Sequence, residues 1–387
     1  MTGRDSYNAL EFMSPKKAAF TSKPSSSVET LKNEAGAIRR ATPAWALETP
    51  SLDAVVRIGV IGCGYWGPNI IRNFQEIAQS KVVGIADFKA ERLKPFAKKI
   101  PGVKLTADYQ DLLKDPAIDA VVIVTPISSH FPIAKAALLA GKHVLVEKPL
   151  TRTVKEGRAL VALARKQKKI LMAGHTFEYH PAVLKIAELI KTQELGAIHY
   201  IDSTRVNLGL YQSDNLNVIW DLAPHDISII LHWLGQTPVK VSAWGKSFVK
   251  KGIEDVAFMR LEFPGETLAH LHVSWLAPAK IRRMTVVGNK KMIVYDDLEN
   301  VEKIKIADQG ALLDPADPEL RVSYRIGDIV SPRVHVTEPL HQECLHFIEC
   351  ILKNEKPRTD GESGLQVVRV LEAANQSIKR GGIPVSL

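Results

Sequence analysis

The chain has 387 residues, 45% hydrophobic and 24% charged, which is enough apolar material for two packed cores and excludes a wholly disordered polymer. Its formal charge of +9 suits anionic small ligands. The basic residues are scattered and carry no zinc, helix-turn-helix or aromatic RNA-binding signature, so nucleic acid is not an expected partner.

Residues 1–52 lack sustained periodicity and are expected to be a disordered N-terminal extension. They have no secretory apolar core, and Asp5, Glu11, Glu29, Glu34 and Glu48 argue against a transit peptide. No apolar run reaches the ~18 residues of a membrane helix. Cys63, Cys344 and Cys350 form no disulfide framework, so a cytoplasmic setting is expected, with no membrane partner.

The β-branched run from Val55 to Ile61 ends in Gly62-Cys63-Gly64-Tyr65-Trp66-Gly67 and opens into a helix near 67–78. That spacing between strand and helix is a dinucleotide-binding signature. Gly62 allows a tight turn, Gly64 lets the backbone approach a pyrophosphate, and Gly67 lets helix and strand pack closely; Tyr65 and Trp66 stand between them as further cofactor contacts. A second strand, 82–86, ends at Asp87, whose carboxylate would accept from ribose hydroxyls and repel a 2′-phosphate. NAD is therefore expected, with NADP the lesser alternative kept open by Lys89.

Further along, a helix is expected near 90–99, a strand at Lys104-Leu105, and a short helix capped by Asp108. Then come a buried strand over Asp119–Val124, a helix from His130 to Ala140, a strand at His143–Val146, a helix near 153–168 and a strand at 169–173. This alternation predicts an α/β Rossmann domain, a doubly wound parallel sheet over residues 53–173. Beyond Gly174 the period changes to two. Strands are expected at 197–202, 239–244, 256–261, 268–275, 281–287 and 291–295, with helices near 181–191, 222–233, 338–354 and 361–380 covering one face. Residues 174–387 thus read as an α+β substrate-binding domain with a mostly antiparallel open sheet.

Three segments carry candidate chemistry. Glu147-Lys148-Pro149 closes a parallel strand at the nicotinamide end, where Lys148 could stabilise a developing alkoxide. In Trp220-Asp221-Leu222-Ala223-Pro224-His225, Asp221 and His225 are one helical turn apart, a spacing that suits a general base oriented by a carboxylate. Thr125, Pro126 and His130 form a loop on the dinucleotide side. His270 and His272 share a strand face, but no third ligand has suitable spacing, so no metal is expected.

This order of motifs, from glycine loop to D-x-x-x-H, resembles the glucose–fructose oxidoreductase/inositol dehydrogenase/MocA-like family over roughly residues 54–387. The resemblance implies Lys148, Asp221 and His225 as the catalytic group, and Thr125, Pro126 and Glu147 beside the nicotinamide. Phe177 and Glu178 stand where the commoner pattern carries arginines. The wording W-D-L-A-P-H-D-I is similar to members acting on nucleotide-linked sugars, such as UDP-N-acetylglucosamine 3-dehydrogenases. Oxidation of a secondary sugar hydroxyl, at C3, is then the expected reaction. Tyr179, Arg205, Asn207 and Tyr211 are expected substrate contacts, the last three in a loop after the first strand of the second domain. A homodimer or homotetramer is expected on the same analogy. A free-sugar or cyclitol dehydrogenase, a non-catalytic NAD-dependent sensor and an NAD-dependent glycoside hydrolase are the alternatives.

Overall fold

Two sheets organise the chain. In the computed structural model, which describes residues 54–209, 216–313, 321–335 and 337–387, the first sheet is built from β1 (Val56–Ile61), β2 (Ser80–Ala86), β3 (Lys104–Thr106), β4 (Ala120–Ile123), β5 (His143–Glu147) and β6 (Leu171–Gly174). Between them run α1 (Gly67–Glu76), α2 (Ala90–Lys99), α3 (Gln110–Leu113), α4 (His130–Leu139) and α5 (Val154–Gln167). Val-Arg-Ile-Gly-Val-Ile in β1 and Ala-Val-Val-Ile in β4 are buried along almost their whole length, as strands with helices on both faces must be. All neighbours pair in parallel, in the order β3-β2-β1-β4-β5-β6. The order reverses at β1 and β4, which opens a crevice beyond their carboxyl ends.

The second half contains α6 (Pro181–Lys191), β7 (Ile198–Val206), α7 (Val218–Leu234), β8 (Lys240–Lys246), β9 (Val256–Glu262), β10 (Leu268–Ser274), β11 (Ile281–Gly288), β12 (Met292–Asp296), β13 (Ile304–Leu313), β14 (Val322–Val330), α8 (Pro339–Lys353), α9 (Gly361–Lys379) and β15 (Val385–Ser386). Its sheet runs β14-β13-β12-β11-β7-β10-β9-β8-β15. β7 and β10 pair in parallel and the other neighbours antiparallel, giving the mostly antiparallel open sheet expected.

Several expectations shift. β7 runs to Val206, and α7 starts four residues early because the Asn217 side chain accepts from the Trp220 N–H and caps it. Tyr109 takes the cap expected of Asp108, whose Oδ1 accepts from the Gln110 N–H at 2.9 Å. The β13–β14 hairpin has no counterpart in the sequence reading. Among the described residues, α7 and α9 are the expected helices that pack most closely on the second sheet; α6 packs on α7. α8 returns to α1 and β1, burying Leu340, Cys344 and Phe347, with Phe347 edge-on to Phe74 at 6.4 Å. One core therefore fills the side of the first sheet that faces α1, α2 and α8, and the other runs from α4 and α5 through α9 and α7 into the second sheet. The extension of residues 1–52 and Tyr211 lie outside the described residues.

Candidate active site

The glycine loop shapes one end of the crevice. Gly62 has φ +103°, and a Cβ there would stand 2.6 Å from the Val124 carbonyl oxygen. At Gly67 a Cβ would stand 2.5 Å from Gly62 O. Gly64 differs: its nearest neighbour would be Arg92 Nη1, at 3.9 Å, so its bare face looks onto space. That space is a cavity of about 550 Å³ lined by Gly62, Gly64, Tyr65, Asp87, Arg92 and Thr125, and the residues present fit the adenosine half of a dinucleotide. Asp87 is buried; its Oδ2 accepts from the Cys63 N–H at 2.7 Å and its Oδ1 from the Lys89 N–H at 2.9 Å. The nearby cation is Arg92, 3.5 Å from Asp87 Oδ2, whereas the Lys89 ammonium sits over the Phe88 ring.

A second cavity of about 660 Å³ continues from the first past Tyr65, Val124 and Thr125. Its walls bring Glu147 and Lys148 from the end of β5 to Thr176 and Phe177 after β6, to His225 on α7 and to Arg282 on β11. Trp66, Asn69 and Glu338–Leu340 close the remaining side. The Lys148–Pro149 peptide is cis. Lys148 Nζ donates to the Asp221 carbonyl oxygen at 3.2 Å, which fixes the ammonium beside α7. His225 packs edge-on to Phe177 at 4.9 Å, and its Nδ1 is buried without a hydrogen-bond partner. Burial, then the charges of Lys148, Arg205 and Arg282, hold the His225 ring well below the ordinary histidine range, so it is a neutral acceptor at neutral pH. Burial raises the Glu147 carboxyl to about 7 against the pull of Lys148.

The structure brings Lys148 and His225 into one cavity but does not join Asp221 to His225. Asp221 Oδ2 instead accepts from Trp275 Nε1 at 3.0 Å, and its backbone carbonyl is what reaches Lys148. Tyr65, Trp66, Thr125, Pro126 and Glu147 line the two cavities. His130 does not. It is 1% exposed and its ring bridges Thr125 O at 2.8 Å and Pro149 O at 2.9 Å. Tyr179 is buried with its hydroxyl against His346 Nδ1 and Thr359 Oγ1, and Arg205 lies in β7 rather than in a loop, buried against Asp226. Asn207 bonds Ser274 O through its backbone N–H and is not on either cavity wall. Sequence reasoning missed Arg92 and Arg282, and it named Phe177 only as a departure from the commoner arginine, without a place in the site.

Comparison with known proteins agrees with this architecture. Residues 56–175 match the model of an oxidoreductase family with an NAD-binding Rossmann fold, and residues 183–294 match the GFO/IDH/MocA C-terminal domain. A UDP-N-acetylglucosamine 3-dehydrogenase of Acidithiobacillus ferrooxidans is 30% identical over 321 residues, covering 83% of this chain and 96% of that protein. A solved structure of that enzyme aligns with a TM-score of 0.70 at 29% identity, over 84% of this chain and 97% of the other. A myo-inositol 2-dehydrogenase of Thermotoga maritima is 25% identical over 334 residues, 84% of this chain and 96% of that one. With both halves matched and the cofactor loop intact, the chain belongs to the Gfo/Idh/MocA family of NAD-binding oxidoreductases, acting on CH–OH groups.

Proposed function

We propose that this chain oxidises a secondary hydroxyl, at C3, of a nucleotide-linked sugar such as UDP-N-acetylglucosamine or its uronic acid, in cell-surface polysaccharide or lipid biosynthesis. Residues 53–173 hold the NAD and residues 174–387 the sugar. The observation that carries the reading is the meeting of a fixed ammonium, Lys148, and a neutral imidazole, His225, in one cavity of about 660 Å³. When bound, NAD supplies a two-electron acceptor at its nicotinamide ring. His225 takes the proton of the sugar hydroxyl, and Lys148 stabilises the negative charge that develops on the oxygen. Asp221 positions Lys148 through its backbone carbonyl. Thr125 and Glu147 border the ring's end of the cavity. A keto sugar made this way suits a later transamination.

The test is absorbance of NADH when the chain meets NAD with UDP-N-acetylglucosamine, its uronic acid, myo-inositol or glucose. Lys148→Met and His225→Ala are each expected to lower kcat/KM by about 10³-fold, with dinucleotide binding unchanged. Turnover confined to myo-inositol would make the enzyme a cyclitol dehydrogenase. NAD binding without turnover of any sugar would favour a sensor or a hydrolase.

A cytoplasmic setting fits the three thiols, all buried and free of disulfides. A homodimer or homotetramer fits the outer face of the second sheet, where Trp244, Phe258 and Leu268 are exposed and Phe258 stacks on His272 at 4.4 Å. Sedimentation is expected to give the mass of two or four chains, reduced by Phe258→Glu; a monomer in the wild type would refute it.

A further inference from the structure

The second-sheet wall of the cavity carries a cation that the proton and electron chemistry above does not use. We propose that Arg282 selects sugars bearing an oxyanion, carboxylate or phosphate, near the reacting ring. The inference rests on the dehydrogenase reading and names its substrate class.

β11 lies antiparallel to β7 with Arg282 directly opposite Arg205. Both guanidinium groups sit over the Phe177 ring, Arg205 at 4.8 Å and Arg282 at 5.7 Å. Like charges opposite one another across a sheet repel, so each needs compensation. Arg205 is paired inside the fold: its Nε and Nη2 donate to Asp226 Oδ1 at 2.8 and 2.6 Å, both side chains are buried, and its remaining Nη1 is buried too, out of reach of a ligand. Arg282 is paired only in part. It gives Asp297 a single bond, Nη1 to Oδ2 at 3.1 Å, and keeps 30% of its side chain exposed on the cavity wall. A guanidinium has five N–H donors in a planar fork, and the fork left over suits a bidentate oxyanion.

The surroundings do not supply that anion. Glu338 at the rim is held by Arg72 and by Asn73 Nδ2 at 3.0 Å. Asp297 takes one donor of Arg282 through Oδ2 and the Tyr295 hydroxyl at 3.1 Å through Oδ1, which leaves the other guanidinium donors of Arg282 unused. Glu147, on the opposite wall, lies beside Lys148 and is pushed toward its neutral form by burial. The cavity wall therefore presents the Lys148 ammonium and the unused donors of Arg282, whose charge Asp297 meets from one side only, and both cations bear on the His225 ring. An oxyanion seated on Arg282 would offset one of the charges that make His225 a weak base.

The experiment uses full-length chain loaded with NADH for calorimetric binding, and with NAD for turnover. The ligands are N-acetylglucosamine, its 1-phosphate, UDP-N-acetylglucosamine and the corresponding uronic acid. In Arg282→Gln the advantage of the charged sugars over the neutral one is expected to fall about tenfold or more, in KM more than in kcat, with Arg282→Lys retaining part of it. The first pair of ligands reads phosphate recognition and the last pair carboxylate recognition. Equal losses on neutral and charged sugars, no loss in Arg282→Gln, or no binding of any sugar overturns the inference. A wild type that turns over nothing, while Arg282→Gln still loses anion binding, refutes the dehydrogenase reading and leaves Arg282 assigned.

Discussion

Gly64 and Gly67 stand three residues apart in one loop and meet different demands. A side chain at Gly67 collides with Gly62 O at 2.5 Å, backbone that cannot move without displacing α1 from β1. A side chain at Gly64 meets nothing closer than 3.9 Å and would occupy space that a pyrophosphate approaches. Gly67→Ala is thus expected to cost about 1–3 kcal/mol of stability. Gly64→Val should leave the melting temperature in place and weaken NADH binding about tenfold or more, read by fluorescence titration. Equal destabilisation by the two variants would refute this division. The glycines are legible in the sequence because their spacing encodes both demands at once. Arg282 is not, because Arg283 beside it has the same chemistry and only the register of β11 against β7 decides which faces the cavity. Tyr179 and Arg205 carried chemistry suited to a sugar, but their burial depends on α8, on Thr359 just before α9, and on α7, the first two far away in the chain.

Strand ends present the site, and each must be held to its neighbour. His130, the first residue of α4, ties the loop after β4 to the loop after β5 through two carbonyl oxygens, Thr125 O and Pro149 O. Carbonyls only accept, so the ring's N–H donates to one of them and the tautomer decides which. His130→Ala would remove that tie and leave a cavity among buried groups, a loss on the order of 2–4 kcal/mol. Because those loops carry Thr125 and Lys148, KM for NAD should rise and kcat fall together; unchanged kinetics in a folded variant would show that the loops hold themselves. At this scale the sequence reading located the six parallel strands and α6 well, since buried β-branched runs and a helix opened by Pro181 are local signals. It did not locate the β13–β14 hairpin. β14 is exposed along nearly its whole length, so Val322, Tyr324 and Ile326 alternate with polar residues without a core to give the alternation meaning. The destination of α8 was equally hidden, because its apolar stripe would fit either sheet and only the fold assigns it to α1.

The whole molecule buries titratable groups of both kinds behind the cavity, and their opposite shifts set its pH response. Burial lowers His143 to about 4 and His175 to about 3, and it holds His225 down as well. Below the ordinary histidine value of 6.5 the unfolded chain binds protons that the folded chain refuses, so stability falls as pH falls. Burial raises Glu147 to about 7 and Glu178 to about 8, and it raises Glu343 strongly, with the charge of Glu147 adding to the effect. Above 4.5 the unfolded chain releases protons that the folded carboxyls keep, so stability falls as pH rises. The two effects oppose each other and place the stability maximum between pH 4.5 and 6.5. Glu343 isolates the second effect. Its Oε2 accepts from Thr176 Oγ1 at 2.7 Å and its Oε1 is buried without a partner among the described residues; Glu343 itself lines neither cavity and stands behind Thr176, which does. Gln has the shape of the protonated side chain and no charge to gain on unfolding. Glu343→Gln should therefore melt with the wild type near pH 4.5 and progressively above it as pH rises to 8, moving the maximum toward neutrality. A melting-temperature difference that stays constant across that range would mean that Glu343 is ionised in the folded chain and that the buried carboxyls do not set the alkaline limb.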